Sequence, residues 1–367
     1  MHLTVMKRIK PYIPGLGASR GNAIASTFAI CFYLSVLILL ARTGRLSALL
    51  AGGAGEGVID GAVIVITLLL LYAGAVLLPR ISRTYEMRGS RFAKRFSTNR
   101  TSIAGLMLIL AILTVTAFGP VITPYEPSAQ GATVLEQYQG PSPHHPMGTD
   151  KFGRDICSRV LYGARISLSI GLFAVLIAGC LGTIIGILAG ASGGIVDDLL
   201  MRITDGLLAF PRILLVLLLV ALFSNSLLLL VLVIGCTSWM GIARLVRAEL
   251  LNLKEKEYVH AAVASGVSRM GVIWKHLLPN AIGPVIVAAT LQIGSVILLE
   301  STLSFLGVGI QPPAPSWGSM VFEGRDALLA AWWVAAAPAA AIIVSVVAFN
   351  LLGDGLRDAL DPRSGMA

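Results

Sequence analysis

Eight long apolar runs decide what this chain can become. An α-helix needs about 20 apolar residues to cross the hydrocarbon core of a bilayer. Runs close to that length occur at residues 22–41, 58–78, 102–121, 166–189, 206–223, 227–243, 284–303 and 334–352. Only Ser224, Asn225 and Ser226 separate the fifth from the sixth. That triplet predicts a tight hairpin, because one helix spanning both runs would far exceed the bilayer. Of the 367 residues, 56% are hydrophobic and 13% are charged, against about 25% charged in an ordinary soluble domain. Such a composition excludes a disordered tail, a fibrous repeat and a disulfide-rich secreted domain, and it argues against a soluble enzyme. The expected fold is all-α: a polytopic membrane protein of about eight transmembrane helices.

The formal charge of +9 reads as a topology signal. Basic residues cluster at Lys7, Arg8, Lys10 and Arg20, and at Arg80, Arg83, Arg88, Arg91, Lys94, Arg95 and Arg100. A third cluster comprises Arg244, Arg247, Lys254, Lys256, Arg269 and Lys275. With eight spans all three clusters fall on one side, which the positive-inside rule makes the cytoplasm. Both termini are then expected in the cytoplasm and the Pro-rich stretch 124–165 outside. The basic linker 80–100 is also placed to touch anionic lipid headgroups. The first run is long for a signal peptide and no cleavage site follows it, so it reads as a retained span. A basic face on a water-soluble fold, the mark of a nucleic-acid binder, is missing.

The sequence carries no GxxxxGK[ST] phosphate loop, no HExxH, no GxSxG and no GxGxxG after a strand, so no catalytic or nucleotide-binding motif stands out. Cys31, Cys157, Cys180 and Cys236 form no CxxC and read as small packing residues. His144 and His145 lie in a Pro-rich loop, and no histidine has a metal-ligand partner at helical spacing within a span. No metal site and no cofactor are expected.

Ionisable residues within spans are costly and often functional. Glu300 and Asp205 are the two candidates, for a translocation path or for a structural role. Glu300 lies about 24 Å along its helix from Pro284, near the outer end of the span. Asp205 lies at the inner edge of the fifth run. Ala174, Ala178, Gly182, Gly186 and Gly190 recur every four residues in the fourth run. Small residues at that spacing let two helix backbones approach closely, within the chain or across to a second subunit.

The segment 257–280 reads EYVHAAVASGVSRMGVIWKHLLPN. Its Ala-rich start predicts a short, nearly bare helix ended by Gly266, which tolerates left-handed backbone. Ser268 is expected to N-cap a second helix, which should stop at Pro279. A bare helix on a surface loop is suited to docking in a groove of another protein.

This segment resembles the EAA loop of the membrane subunits of ATP-binding-cassette (ABC) importers. Ala261 and Ala262, then Gly266, then Leu278 and Pro279 stand at that loop's spacing. His260 replaces the Glu of the general pattern and His276 an apolar residue; EYVxAA with HxLPN is similar to the version in peptide importers. Two further stretches, HPMGTDKFGRDICSRVLYGARISL from His145 and ESTLSFLGVGIQPPAPSWGSM from Glu300, resemble the C-type permease of dipeptide, oligopeptide and nickel importers, as does FNLLGDGLRDALDPR near the C-terminus. The resemblance covers residues 95–363, roughly three quarters of the chain. It divides the chain into an N-terminal extension, 1–93, with two spans and the basic linker, and a six-helix type I importer domain, 94–367. The latter has an outer loop at about 122–165 and a coupling loop at about 244–280.

The resemblance implies a permease subunit that moves di- or oligopeptides across the cytoplasmic membrane of a prokaryote by alternating access, or in some relatives nickel or sugars. It implies a second, homologous permease, two ATPase subunits that bind the ATP and Mg, and an extracytoplasmic substrate-binding protein. Glu257, Tyr258, Ala261, Ala262, Gly266, Leu278, Pro279 and Asn280 would form the ATPase-coupling loop. A secondary transporter or channel would need internal repeats or charged midplane residues, and a membrane enzyme an acid–base or metal constellation; neither set is evident.

Overall fold

A computed structural model describes residues 91–123, 125–131, 136–223, 226–311 and 313–361. These belong to the unit Ser90–Ala367, set apart from Met1–Gly89. The first two expected spans, the basic residues up to Lys10 and Arg20, and most of the linker lie outside the described residues, as do Ser224 and Asn225 of the expected hairpin.

The described residues are helical, with no strand among them beyond an isolated bridge between Thr149 and Asp155. A short helix α1 (Arg91–Thr98) leads into α2 (Arg100–Ile122), which starts where the Asn99 side chain accepts from the Thr101 N–H at 3.0 Å. A compact loop follows, and α3 (Ile156–Ser192) runs the full depth of the bundle. It begins at Ile156, earlier than the expected start at 166, because Asp155 caps it by accepting from the Ser158 N–H at 2.7 Å.

The fifth run is not the continuous span expected at 206–223. It holds two helices, α4 (Gly194–Leu208) and α5 (Arg212–Leu222), bent by 84°. Pro211 explains the break: it offers no N–H to the preceding turn and disfavours helical backbone at Phe210. Ser226 then caps α6 (Leu227–Cys236), accepting from the Leu229 N–H at 3.2 Å. A short interruption separates it from α7 (Met240–Lys254). The carbonyl of Ser238, freed by that interruption, accepts from the Gln292 side chain at 2.7 Å. Inside a membrane such a group must find a protein partner.

The sixth span was expected to end at 243, with a loop from 244. Instead α7 continues to Lys254, so Arg244 and Arg247 sit on a helix. Both reach back to α4: Arg247 grips Asp197 through two bonds of 2.5 and 2.7 Å, and Arg244 pairs with Asp205. Lys254 donates to the Gly190 and Ala191 carbonyls at 2.5 and 3.1 Å, closing the C-terminal end of α3 with a cation.

Two short helices, α8 (Glu257–Ala264) and α9 (Arg269–Val272), follow α7. The sequence predicted that the second would stop at Pro279; the chain corrects this. Residues Ile273–Leu277 form a π-helical turn that passes directly into α10 (Leu278–Phe305). Proline is tolerated in the first turn of a helix, and the wider π turn carries the backbone past its ring. The span expected at 284–303 is therefore longer at its start. At the far end, α11 (Trp317–Gly324) opens with a Ser316–Ser319 capping box, and α12 (Trp333–Leu360) returns through the bundle.

Five helical segments are long and apolar enough to cross a membrane, and the bent α4–α5 pair brings the number to six among the described residues. Each of the last six expected runs thus falls on one of these segments, and α6 with α7 is together long and apolar enough for a single crossing. The main core joins α3, α5, α6, α10, α11 and α12 through residues such as Ile170, Val216, Ile234, Ile297, Leu303 and Trp317. A second core, with Val246, Leu250, Val259, Val272, Leu277 and Ala281, fastens α8 and α9 beneath α7 and α10.

The five small residues of α3 are all buried, and three of them meet α7. A Cβ on Gly182 would lie 2.7 Å from the Trp239 carbonyl oxygen, and one on Gly186 only 2.6 Å from the Val246 Cβ. The seam serves an internal contact, one of the two roles its spacing left open.

Candidate functional site

The α8–α9 turn is built on local rules. Helix α8 ends in a Schellman arrangement: the Gly266 N–H donates to the Val263 carbonyl at 3.0 Å and the Val267 N–H to Ala262 at 3.1 Å. Gly266 has φ +81° and open space around its Cα, so backbone conformation and not crowding calls for glycine there. Ser268 caps α9 by accepting from the Gly271 N–H at 3.2 Å. Asn280, in the first turn of α10, donates to the His276 carbonyl at 2.6 Å and to the Tyr258 hydroxyl at 3.5 Å. That second bond fastens α8 to the start of α10.

Glu257 is exposed in the first turn of α8, where an acid suits the helix dipole. Val259 and Ala262 face the core beneath. Tyr258, Ala261, Val263, Met270 and Trp274 face out, with Tyr258 44% and Trp274 61% exposed. Leu278 is half-buried and Pro279 exposed. The eight residues singled out by the sequence thus share one small region at one end of the bundle. Large apolar side chains left exposed on a polar loop mark an interaction surface.

Asp205 and Glu300 do not come together. Asp205 is exposed and pairs with Arg244 near that same end. Glu300 is fully buried. Its carboxylate accepts from Ser304 at 2.8 Å and from Ser167 of α3 at 3.4 Å. Two serine hydroxyls thus hold its carboxylate.

Sequence reasoning missed a second buried cluster, at the opposite end. Arg154 donates to Asp150 at 2.7 Å and to Glu323 at 2.5 Å; Arg159 bonds Asp150 and reaches Glu323 at 2.8 Å. Two acids and two arginines neutralise one another, all at most a tenth exposed. They tie the loop before α3 to α11. The spacing of Asp150, Arg154 and Arg159 ahead of a span was a visible signal, but the partner Glu323 lies far along the chain. His145 belongs to the same loop: its Nδ1 lies 3.0 Å from Asp155, and its ring stacks on Tyr125. A cavity of about 570 Å³ opens beside this cluster, lined by Gln130, Phe152, Arg154, Ser304, Gln311, Ser319 and Glu323 among others. No group of three or more metal-binding side chains occurs among the described residues.

Residues 182–365 match the family described as binding-protein-dependent transport system inner membrane component. Residues 88–141 match the N-terminal TM domain of oligopeptide transport permease C. The chain is 42% identical over 270 residues to a dipeptide transport system permease protein of Alkalihalophilus pseudofirmus, covering 74% of this chain and 88% of that one. It is 42% identical over 271 residues to the dipeptide transport system permease protein of Bacillus subtilis, with 74% and 84% covered. It is 39% identical over 286 residues to a di/tripeptide transport system permease protein of Pseudomonas aeruginosa, with 77% and 94% covered.

Proposed function

We propose a function from one premise: the chain belongs to the family of binding-protein-dependent transport system inner membrane components. It is a multi-pass permease subunit of an ABC importer in the inner membrane. Its family works with ATPase subunits and a substrate-binding protein.

The finer reading is that this permease passes di- and oligopeptides, supported by the names its relatives carry rather than by any site for nickel or sugars. It pairs with a second, homologous permease and rests on two ATPase subunits. ATP and Mg belong to those subunits; the absence of a phosphate-loop motif from this sequence supports that division. The α8 end faces the cytoplasm, as the basic residues from Arg244 to Lys275 favour. The α11 end then faces out, towards the binding protein, and both termini are cytoplasmic.

In this mechanism α8 sits in a cleft of one ATPase and presents Tyr258 and Ala261 to it. Closure of the ATPases on ATP moves α8. Because α9, the π turn and α10 form one uninterrupted rod, the motion passes to a helix about 42 Å long. The result is rigid-body alternation between two openings of the pore. The continuity of that rod with the docking loop supports this coupling.

ATP-dependent uptake of a labelled dipeptide, in proteoliposomes holding the complete transporter, tests it. Gly266→Val forces a branched residue into left-handed backbone, costing about 1–2 kcal/mol locally, and should abolish uptake while the chain stays in the membrane. Gly266→Asn, which tolerates that backbone, should restore most of it. Normal uptake by the valine variant would overturn the coupling role.

A further inference from the structure

The mechanism above leaves Glu300 unused, although it is fully buried and has no ion-pair partner among the described residues. Its surroundings connect three elements. Ser304, one turn on in α10, donates to it at 2.8 Å, and Ser167 of α3 donates at 3.4 Å. Ser167 in turn accepts from the backbone N–H of Trp317 at 3.2 Å, which fastens the start of α11. Ser316 lies 3.5 Å from Ser304 and 3.3 Å from Ser319 through their hydroxyls. Backbone contact is as close: a Cβ on Gly318 would lie 2.6 Å from the Cα of Ser301. The chain of hydroxyls does not end in the core. Ser304 and Ser319 line the 570 Å³ cavity beside Glu323.

We propose that Glu300 is a positioning residue for the transport cycle: its carboxylate and the serines around it latch α10 to α3 and α11 and hold the outer cavity in the shape seen here. The proposal rests on the transport reading and extends it to the far end of the same rod. When the ATPases move the α8 end, α10 cannot shift without breaking the Ser167 link or dragging α11 with it. Either event changes the cavity wall. A carboxylate suits this role because it accepts from two helices at once. Unmet hydroxyls in an apolar core are unfavourable, so the latch re-forms only in register and has two discrete states.

The test uses the complete transporter in lipid nanodiscs, with Cys31, Cys157, Cys180 and Cys236 replaced by serine. Gln311→Cys then places a single thiol on the exposed cavity wall. Its rate of reaction with a polar maleimide is compared without nucleotide and with ATP plus vanadate. With Glu300 intact the rate should change about tenfold, as expected when a minor state becomes dominant. Glu300→Leu, which keeps much of the volume but accepts no bond, should make the rate independent of nucleotide. Glu300→Gln, which still accepts and can donate to a serine oxygen, should keep most of the change. A leucine variant that still responds to ATP and vanadate overturns the latch. So does a nucleotide-insensitive rate with Glu300 intact in a complex that transports peptide. Failure of the same complex, with Glu300 and Gln311 intact, to show any ATP-driven uptake instead removes the transport reading, and this inference with it.

Discussion

At the scale of single residues, the sequence was most informative where backbone geometry alone imposes the choice. Gly266 was legible because a helix stop followed by Ser268 requires left-handed backbone, and its φ of +81° follows. The small residues of α3 were legible as a seam, though not which helix fills it. Gly186 and Gly179 now give a paired prediction. Gly186→Ala would press a methyl against Val246 and Ala243 and should lower stability by about 1–3 kcal/mol. Gly179→Ala meets nothing within 4 Å and should be neutral or stabilising by up to about 1 kcal/mol. Thermal melts of the detergent-purified chain read both, and equal melting points would contradict the close seam. Glu323 had no sequence signal, since its partners are far along the chain. Glu323→Ala leaves Arg154 and Arg159 sharing one acid in the interior and should cost about 3–5 kcal/mol. Asp205→Ala removes only an exposed pair, worth about 0–1 kcal/mol. The same melts should separate the two by a wide margin, and a small effect at Glu323 would show that water reaches the cluster.

At the scale of elements, hydropathy located the six runs that fall among the described residues but misjudged where helices bend. The window at 206–223 averages as strongly apolar, yet Pro211 breaks it and Arg212 follows, and average hydropathy is blind to that break. Pro279 misled in the opposite direction. A proline in a first turn does not end a helix, and the π turn before it is a tertiary solution that no local pattern announces. Arg244 and Arg247 looked like loop residues because charge breaks the apolar count; the carboxylates of α4 keep them on a helix. The interruption between α6 and α7 yields a prediction of its own. Gln292→Leu would leave the Ser238 carbonyl without its side-chain donor, at a cost of about 1–3 kcal/mol. Exchange protection of the α6–α7 amides should fall in the variant; unchanged protection would mean that the interruption needs no support from α10.

At the scale of the whole molecule, the two ends of the bundle differ in kind. The α8 end carries exposed apolar side chains on a short, well-capped loop, fit for contact with another protein. The α11 end carries a neutralised ion cluster, a serine-lined carboxylate and an open cavity, fit for holding shape. Helix α10 joins them. The loop was readable from sequence because its spacing is local. At the far end Glu300 stood out as a lone acid in a span, but its surroundings did not, because they are assembled from residues 136–167 and 300–323, which only the fold brings together. On the proposed mechanism, α8 receives the force of ATP hydrolysis by direct contact with an ATPase subunit. Cross-linking from a single cysteine in the assembled, ATP-hydrolysing transporter tests this most directly. Ala261→Cys, on the outward face of α8, should cross-link to an ATPase subunit through a short bifunctional maleimide, and Gln311→Cys at the opposite end should not. An active complex in which position 261 yields no cross-link to an ATPase would contradict the claim.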